Sequence, residues 1–264
     1  MHLAIASLDP VWEDKAATMA RCRELAAGAA ARHAALLALP EMTLTGFTLS
    51  ATSIVEPASD SPTIAAFSGL ARELRMAIAF GVVLQGRERP TNSVVVVDRD
   101  GTELVRYAKV HPFGPGGESL HYERGERAAI AAVDDVAFAL SICYDLRFPE
   151  LYTAVAPRVE AMLVIASWPE ARISHWLALL QARAIENQCW VAGVNRTGVD
   201  GNGLNHPRST RVFDPVGAQV APDWLDGELE GFTLDPERVR AQRAAFPLLR
   251  DRCPAVYEAI ARPG

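Results

Sequence analysis

The chain has 264 residues, half of them hydrophobic and 22% charged, which is enough apolar sequence for a sizeable buried core. Its formal net charge of −6 gives no basic surface, so a nucleic-acid partner is not expected. No window approaches the roughly 18 consecutive apolar residues of a membrane helix, which argues against a membrane partner. The opening segment MHLAIASLDP lacks a basic region and indicates a first strand rather than a secretory signal.

The four cysteines, Cys22, Cys143, Cys189 and Cys253, are far apart and form no C-x-x-C pair. Neither a disulfide framework nor a zinc ribbon fits this spacing, and a reducing cytoplasm is the expected setting. The six histidines are scattered, and the chain has no H-E-x-x-H motif, Walker loop or G-x-S-x-G motif. We therefore expect no metal, nucleotide or organic cofactor.

Strand-like and helical segments alternate along the first half of the chain. HLAIASL predicts a strand, and an Ala-rich helix of about 20 residues follows from Asp14. AALLALPE predicts a short buried strand that Pro40 ends. SPTIAAFSGLARELR has a helical start and period, and MAIAFGVVLQ predicts a strand. NSVVVVDRDGTELVRYAKV predicts a hairpin around Asp100-Gly101.

The second half continues the alternation. VAFALSIC and AMLVIAS predict buried strands on either side of a helix that follows Pro149, and HWLALLQARAIENQ predicts an amphipathic helix. CWVAGVN, STRVFDP, GAQVAP and EGFTLD complete the strands, with a tight VDGNG loop between the first two. We predict one α/β domain over residues 1–264 with mixed sheets covered by helices. The tail, about 237–264, is expected to pack on another surface such as a partner subunit.

Cys143 ends the apolar run VAFALSI, so it lies where a buried strand stops and the chain turns. This placement presents a side chain from a rigid edge, as a nucleophile elbow does. A free thiol titrates near pH 8.5 and needs a base or a cation to act as a nucleophile at neutral pH. An inert buried cysteine is the alternative, so the helpers must come from elsewhere in the chain.

Three further residues are candidates for those helpers. Glu41 follows a buried strand and a proline, where a poorly solvated carboxylate suits a general base. Lys109 ends a strand in the apolar stretch LVRYAKVHPF, where an ammonium group is able to stabilise an oxyanion. Glu118 lies in the glycine-rich loop GPGGESLHYERG, which is expected to shape a pocket wall rather than bind phosphate. A loop glutamate, an edge-strand lysine and a solvated glutamate are the respective alternatives.

LPEMTLTGF, YAKVHPF and ICYDLRFPE occur in the order and at the separations typical of the nitrilase (carbon–nitrogen hydrolase) superfamily, which the chain resembles over nearly its whole length. The resemblance implies an α-β-β-α sandwich and a homodimer or higher homo-oligomer. It also implies that Cys143 is the nucleophile, Glu41 the general base and Lys109 the oxyanion cation. The backbone N–H of Tyr144 is expected to share the oxyanion, and Glu118 matches the second glutamate of the family.

SWPEARISHWLALLQARAIENQCWVAGVNRTGVDGNG resembles the bacterial omega-amidase (2-oxoglutaramate amidase) branch of that superfamily. This implies release of ammonia from the terminal amide of a small 2-oxo acid amide through a thioester. The substrate carboxylate needs a cation, for which Arg172 is the first choice, with Trp168 beside it, and Arg208 the second. We expect Arg147 and Glu150 to brace the turn behind Cys143.

Two segments depart from the branch pattern, HPFGPGGESLHY and NHPRSTRVF, and both are expected near the pocket. Deaminated glutathione amidase and N-carbamoyl amino acid hydrolase therefore stay open as alternatives within the superfamily. A true nitrilase is disfavoured, because Tyr144 and Asp145 stand where those enzymes usually have tryptophan and glutamate. A non-catalytic scaffold or a redox sensor built on Cys143 is the alternative from a different class of protein.

Overall fold

The computed structural model describes residues 1–261, which contain fifteen β-strands and eight α-helices. The strands are β1 (His2–Ala6), β2 (Leu36–Ala38), β3 (Ala77–Leu84), β4 (Thr91–Val97), β5 (Glu103–Ala108), β6 (Ile130–Val133), β7 (Val136–Ile142), β8 (Ala161–Ala166), β9 (Trp190–Asn195), β10 (Gly198–Val199), β11 (Asn205–His206), β12 (Arg211–Phe213), β13 (Gln219–Val220), β14 (Trp224–Asp226) and β15 (Leu229–Thr233). The helices are α1 (Lys15–Ala31), α2 (Ala51–Ile54), α3 (Pro62–Leu74), α4 (Glu118–His121), α5 (Pro149–Val155), α6 (Ile173–Asn187), α7 (Pro236–Ala245) and α8 (Pro254–Ala261).

Two mixed sheets make up most of the strand structure of residues 1–261. The first has the strand order β14-β15-β1-β2-β3-β4-β5, and the second has the order β13-β12-β9-β8-β7-β6. In each sheet three central strands run parallel, β1-β2-β3 in one and β7-β8-β9 in the other, and the remaining pairs are antiparallel. The carboxyl ends of parallel strands share one edge of a sheet, which is where ligand sites form in such sheets.

The two sheets pack face to face and helices cover their outer faces. Side chains of both sheets meet in one apolar cluster that includes Ile5, Val94, Phe138 and Leu163. The outer face of the first sheet packs against α1 and α3, and that of the second packs against α5 and α6. The result is an α-β-β-α sandwich, as the sequence resemblance implies. No helix among residues 1–261 is long and apolar enough to cross a membrane.

Most predicted elements are confirmed, and the local chemistry explains why. Asp14 caps α1 by accepting a hydrogen bond from the Ala17 N–H, and Ser61 caps α3 in the same way. The hairpin of β4 and β5 turns at Gly101, whose φ of +78° favours glycine. Strands β6 and β14 and the small β10–β11 hairpin were not predicted. The hairpin strands have only two residues each, too few for a sequence period.

The tail divides into two parts. Val239 of α7 is buried in the core between the sheets, and the Arg243 guanidinium donates to the carbonyls of Ala156, Val159 and Asn187. This part therefore packs on its own chain. The apolar side chains of α8 are exposed: Val256, Tyr257 and Ile260. That the tail packs on a partner subunit stays a prediction, and its last three residues lie outside the described ones.

Candidate active site

Cys143 lies at the turn that ends β7. The strand stops at Ile142, and Cys143 begins a 3-10 helix, Cys143–Arg147, with a φ of +48°. A residue with a side chain rarely adopts this left-handed conformation, and such strain is concentrated at functional sites. Buried Asp145 holds the turn, because its carboxylate accepts hydrogen bonds from the Ile142 N–H at 3.0 Å and the Tyr107 hydroxyl at 2.7 Å. Asp145 is thus a hydrogen-bond acceptor that fixes the turn behind Cys143.

Glu41 follows the end of β2 and is fully buried. Its two carboxylate oxygens have different partners. Oε1 accepts hydrogen bonds from Lys109 Nζ at 2.9 Å and from Asn92 Nδ2 at 2.7 Å, whereas Oε2 accepts one from the Ser167 N–H at 2.8 Å. The carboxylate is therefore fixed by Lys109, Asn92 and Ser167. Oε1 has two hydrogen-bond partners and Oε2 has one.

Lys109 lies one residue beyond β5 and is held between two carboxylates. Its ammonium group is 2.9 Å from Glu41 Oε1 and 2.8 Å from Oε2 of Glu118, the first residue of α4. Glu118 Oε2 also accepts a hydrogen bond from the Phe113 N–H. The structure thus brings the predicted Glu41 together with Lys109 and Glu118, although Glu41 is 68 residues away from Lys109 in the sequence.

Burial and charge set the protonation states at this site. Burial alone would lower the pKa of Lys109, but the carboxylates of Glu118 and Glu41 outweigh it and hold that pKa well above its ordinary value. Burial raises the pKa of the Cys143 thiol well above its ordinary value, the Glu41 carboxylate raises it further, and Lys109 opposes the rise. Cys143 is therefore a neutral thiol at neutral pH, and it needs a general base to attack a carbonyl carbon.

A cavity of about 540 Å³, counted to its open mouth, lies in front of these groups. Its lining comprises the catalytic candidates, aromatic rings, two arginines and residues of the second sheet's loops: Glu41, Phe47, Lys109, Phe113, Cys143, Tyr144, Arg147, Ser167, Trp168, Pro169, Arg172, Asp200, Leu204 and His206. The predicted Tyr144, Trp168 and Arg172 are thus at the cavity. Glu118 does not line the cavity, but it hydrogen-bonds to Lys109, which does.

Two guanidinium groups, those of Arg147 and Arg172, also line the cavity. The Arg172 guanidinium is 5.4 Å from the centre of the Phe113 ring, and the Arg147 guanidinium is 4.8 Å from the Trp168 ring. No carboxylate within residues 1–261 forms an ion pair with either. The Trp168 indole N–H donates to the Arg172 carbonyl at 2.8 Å, which fixes this part of the cavity lining.

The structure places the other two predicted arginines differently with respect to the cavity. Arg147, in the turn helix behind Cys143, lines the cavity, stacks on Trp168 and contacts His175 Nδ1 at 3.4 Å. Arg208 does not line the cavity, because its guanidinium pairs with Glu230 at 2.8 Å and donates to the Gly227 carbonyl. Glu150 is exposed at the start of α5 and also lies off the cavity.

Sequence reasoning missed Asn92, Ser167, Asp200 and His206. Asn92 is the second residue of β4 and contacts both glutamates, yet its only sequence signal is a polar Thr-Asn-Ser triplet before four valines. Ser167 acts through its backbone N–H, which no side-chain pattern reveals. Asp200 and His206 belong to the VDGNG loop and the strand after it. Within residues 1–261 no cluster of three or more His, Cys, Asp or Glu side chains is able to hold a metal ion.

Comparison with known proteins identifies the family of the chain. Residues 2–244 match the carbon–nitrogen hydrolase family model. The omega-amidase YafV of Escherichia coli is 33% identical over 247 residues, covering 91% of this chain and 92% of that protein. The 2-oxoglutaramate amidase of Bacillus subtilis is 29% identical, covering 83% and 85%.

Among solved structures, a CN-hydrolase superfamily protein of Xanthomonas campestris with an arsenic adduct in its active site superposes with a TM-score of 0.89. It is 30% identical, with 96% of this chain and 97% of that chain covered. The family match over most of the chain and the extensive similarity to amidases lead to one conclusion. The chain belongs to the carbon–nitrogen hydrolase family and is an amidase, a hydrolase of non-peptide carbon–nitrogen bonds.

Proposed function

We propose that the protein is an omega-amidase that hydrolyses the terminal amide of a small 2-oxo acid amide, such as 2-oxoglutaramate, to the acid and ammonia. One observation carries the proposal: a single cavity is lined by Glu41, Lys109 and Cys143 and also by Arg147 and Arg172, which have no carboxylate partner within residues 1–261. The first set suits attack on an amide, and the second suits a carboxylate at the far end of the same molecule.

In the first half of the reaction, Glu41 takes the proton of the Cys143 thiol as Sγ attacks the amide carbon. The carbonyl oxygen becomes an oxyanion that Lys109 and the Tyr144 N–H stabilise. One such donor is typically worth about 3 kcal/mol of barrier height. Glu41 then gives its proton to the amide nitrogen, the carbon–nitrogen bond breaks, and ammonia leaves. The acyl group stays on Sγ as a thioester.

In the second half, Glu41 removes a proton from a water molecule as that water attacks the thioester carbon. The same donors hold the second oxyanion, the carbon–sulfur bond breaks, and the thiolate recovers the proton from Glu41. Glu41 Oε2 is the natural proton acceptor, because Oε1 is already occupied by Lys109 and Asn92. Glu118 orients Lys109 throughout through its 2.8 Å contact.

The substrate preference follows from the two arginines that line the cavity. A carboxylate at the end of the acyl chain would pair with Arg172 or Arg147 and leave the amide at Cys143. The named relatives, an omega-amidase and a 2-oxoglutaramate amidase, agree with this class of substrate. Asp200 also lines the cavity, where a negative charge would favour an amino group on the substrate, although its Oδ1 accepts hydrogen bonds from the Asn202 and Leu204 N–H groups. Glutamine is therefore the comparison that separates a keto amide from an amino acid amide.

The deciding experiment measures ammonia release from 2-oxoglutaramate, with glutamine and an N-carbamoyl amino acid as comparison substrates. We expect fast release from the keto amide and little from the other two, and no release from Cys143→Ala. Turnover of glutamine or the carbamoyl compound alone would exclude the keto amide preference. Near-normal turnover by folded Cys143→Ala would exclude the thioester mechanism.

We also propose that the protein acts in the reducing cytoplasm as a homodimer or a higher homo-oligomer. All four cysteines are free. The exposed Val256, Tyr257 and Ile260 of α8 provide an apolar surface that a second copy would cover. Light scattering of the full chain measures the mass directly, and a monomer at micromolar concentration would exclude the oligomer.

A further inference from the structure

The amide of Asn92 lies behind the cavity, between the two glutamates. Asn92 is 1% exposed and does not line the cavity. Its Nδ2 group donates one hydrogen bond to Glu41 Oε1 at 2.7 Å and another to Glu118 Oε1 at 3.0 Å. Its backbone carbonyl accepts a hydrogen bond from the Lys109 N–H at 2.8 Å. One residue therefore contacts all three charged members of the site.

The orientation of this amide is determined by its surroundings. Turning the amide over would place its oxygen against two carboxylate oxygens, which is repulsive. In the observed orientation Oδ1 has no hydrogen-bond partner within residues 1–261. A buried carbonyl oxygen without a partner costs stability. In this orientation both N–H groups of the amide point at the carboxylates of Glu41 and Glu118.

Charge explains what the amide contributes. Glu41 and Glu118 carry two negative charges in a buried site, and Lys109 supplies one positive charge. Two buried carboxylates with too few donors tend to retain a proton on one of them. A protonated Glu41 is unable to accept the thiol proton. The Asn92 amide adds two donors without adding a charge, which leaves the single ammonium group to serve both carboxylates and the oxyanion.

We propose that Asn92 is a positioning residue whose amide holds Glu41 Oε1 in place, so that Oε2 is directed to accept the Cys143 proton. This inference rests on the proposed role of Glu41 as the general base. The groups that face Glu41 are the Lys109 ammonium, the Glu118 carboxylate and the Cys143 thiol. The Tyr122 phenol lies near both carboxylates and donates its own hydrogen bond to the Thr48 carbonyl.

Two substitutions of similar size separate this role from simple packing. Asn92→Leu removes both donors, and Asn92→Asp replaces them with a third negative charge. Because the Cys143 thiol has a raised pKa, its reaction at neutral pH needs a base to take its proton, and the pH profile is expected to have an acidic limb. We expect that limb to lie about one pH unit higher in Asn92→Leu than in the parent protein, and higher still in Asn92→Asp. At a fixed pH on the limb, a profile displaced by one pH unit lowers the reactivity of Cys143 about tenfold.

The test measures the rate of Cys143 alkylation by iodoacetamide against pH, followed by intact mass in a Cys253→Ser background. The control is Ser93→Ala, which removes a buried hydroxyl from the next position of β4, on the opposite face of the sheet. Its profile should match that of the parent protein. Thermal unfolding confirms that each variant is folded, and Asn92→Ser, which is smaller and uncharged, replaces any variant that is not.

An acidic limb at the same pH in the parent protein and in all folded Asn92 variants would overturn the proposal, and a graded displacement would support it. Alkylation needs no amide substrate, so the result is independent of the proposed substrate. A graded displacement in a protein that releases no ammonia from any amide would leave the role of Asn92 intact and reject the proposed function. Ammonia release with an unmoved limb would do the reverse.

Discussion

The two walls of the cavity hold their charges in opposite ways. The catalytic wall is formed by Glu41 and Lys109, with Glu118 behind them. Both carboxylates bond to Lys109, to Asn92 and to backbone N–H groups, and all three residues are buried. The recognition wall is formed by Arg147 and Arg172, which lie on the faces of aromatic rings and have no carboxylate partner within residues 1–261; Arg147 also contacts His175 Nδ1 at 3.4 Å.

This contrast reflects two tasks. Charges that stabilise a transition state act best when the protein has already fixed them, because no reorganisation is then needed during the reaction. Charges that recognise a substrate must keep their hydrogen-bonding capacity free until the substrate arrives. Aromatic rings support a guanidinium group without occupying its N–H donors in an ion pair. The comparison therefore predicts large effects on rate from one wall and effects on binding from the other.

Substitution of Lys109 on the catalytic wall should have the largest effect on turnover. Lys109→Met leaves two buried carboxylates facing each other and removes an oxyanion donor, so we expect kcat to fall at least about a thousandfold. Loss of one partner from a buried ion pair also lowers the free energy of unfolding by roughly 3–5 kcal/mol. Ammonia release and urea unfolding measure the two losses.

The matched control is Lys15→Met, because Lys15 also pairs with a buried glutamate, Glu56, but is one-third exposed and far from the cavity. Lys15→Met should keep normal turnover.

The pH dependence of stability supplies a further check on Lys109. Since the folded pKa of Lys109 is raised, its contribution to stability is complete below the ordinary lysine pKa and is lost as pH rises through the raised value. Equal activity losses in the two lysine variants would contradict the contrast between the walls.

A smaller effect is expected from crowding the backbone that carries Glu41. A Cβ atom on Gly81 of β3 would lie 2.3 Å from the Met42 nitrogen and 2.9 Å from the Glu41 carbonyl carbon. Gly81→Ala must therefore displace Glu41, and we expect kcat to fall by about 10- to 100-fold with a smaller change in KM. Gly69→Ala is the control, because its Cβ would meet no atom within 4 Å and lies on helix α3. Identical kcat values for the two would show that Glu41 tolerates displacement.

Much of this catalytic wall could be predicted from the sequence, and the reason is local. Glu41, Lys109 and Cys143 each follow a strand whose apolar run is visible in the sequence, and the ends of such strands meet in a sandwich of this type. Strand alternation and the capped helices α1 and α3 are likewise local properties. The superfamily motifs supplied the order of the roles, which composition and periodicity alone do not give.

The remainder depends on contacts between distant segments. Asn92 is one polar residue at the start of a valine-rich strand, and its role appears only when β4 lies between the two glutamates. The Ser167 N–H contributes through the backbone, where residue type gives no signal. That Arg147 lines the cavity and Arg208 does not was not visible in the sequence, because their stacking and pairing partners, Trp168 and Glu230, are 21 and 22 residues away.

The recognition wall should respond in KM rather than kcat. Arg172→Ala removes a cation that would meet the substrate carboxylate. We therefore expect KM for 2-oxoglutaramate to rise by about 10- to 100-fold, the usual value of a charge-assisted hydrogen bond. KM for a neutral amide of similar length should change little in Arg172→Ala. Arg208→Ala is the control, because its partner Glu230 lies off the cavity. If Arg172→Ala leaves KM unchanged and Arg147→Ala raises it, the carboxylate binds to Arg147 instead.

Alkylation or substitution of the three cysteines outside the cavity is expected to change turnover least. Burial raises the pKa of Cys22 to about 12 and that of Cys189 to about 12, so neither forms a reactive thiolate at neutral pH. Cys253 is exposed and should be alkylated readily without loss of turnover. Peptide mass mapping during partial alkylation should show activity falling only with Cys143 labelling.

The Cys143 thiol also has a raised pKa, so we expect its labelling at neutral pH to require Glu41 as the base. Glu41→Gln should therefore suppress Cys143 labelling while leaving Cys253 labelling intact. Activity that is lost with Cys253 labelling while Cys143 stays free would mean that the nucleophile is misassigned.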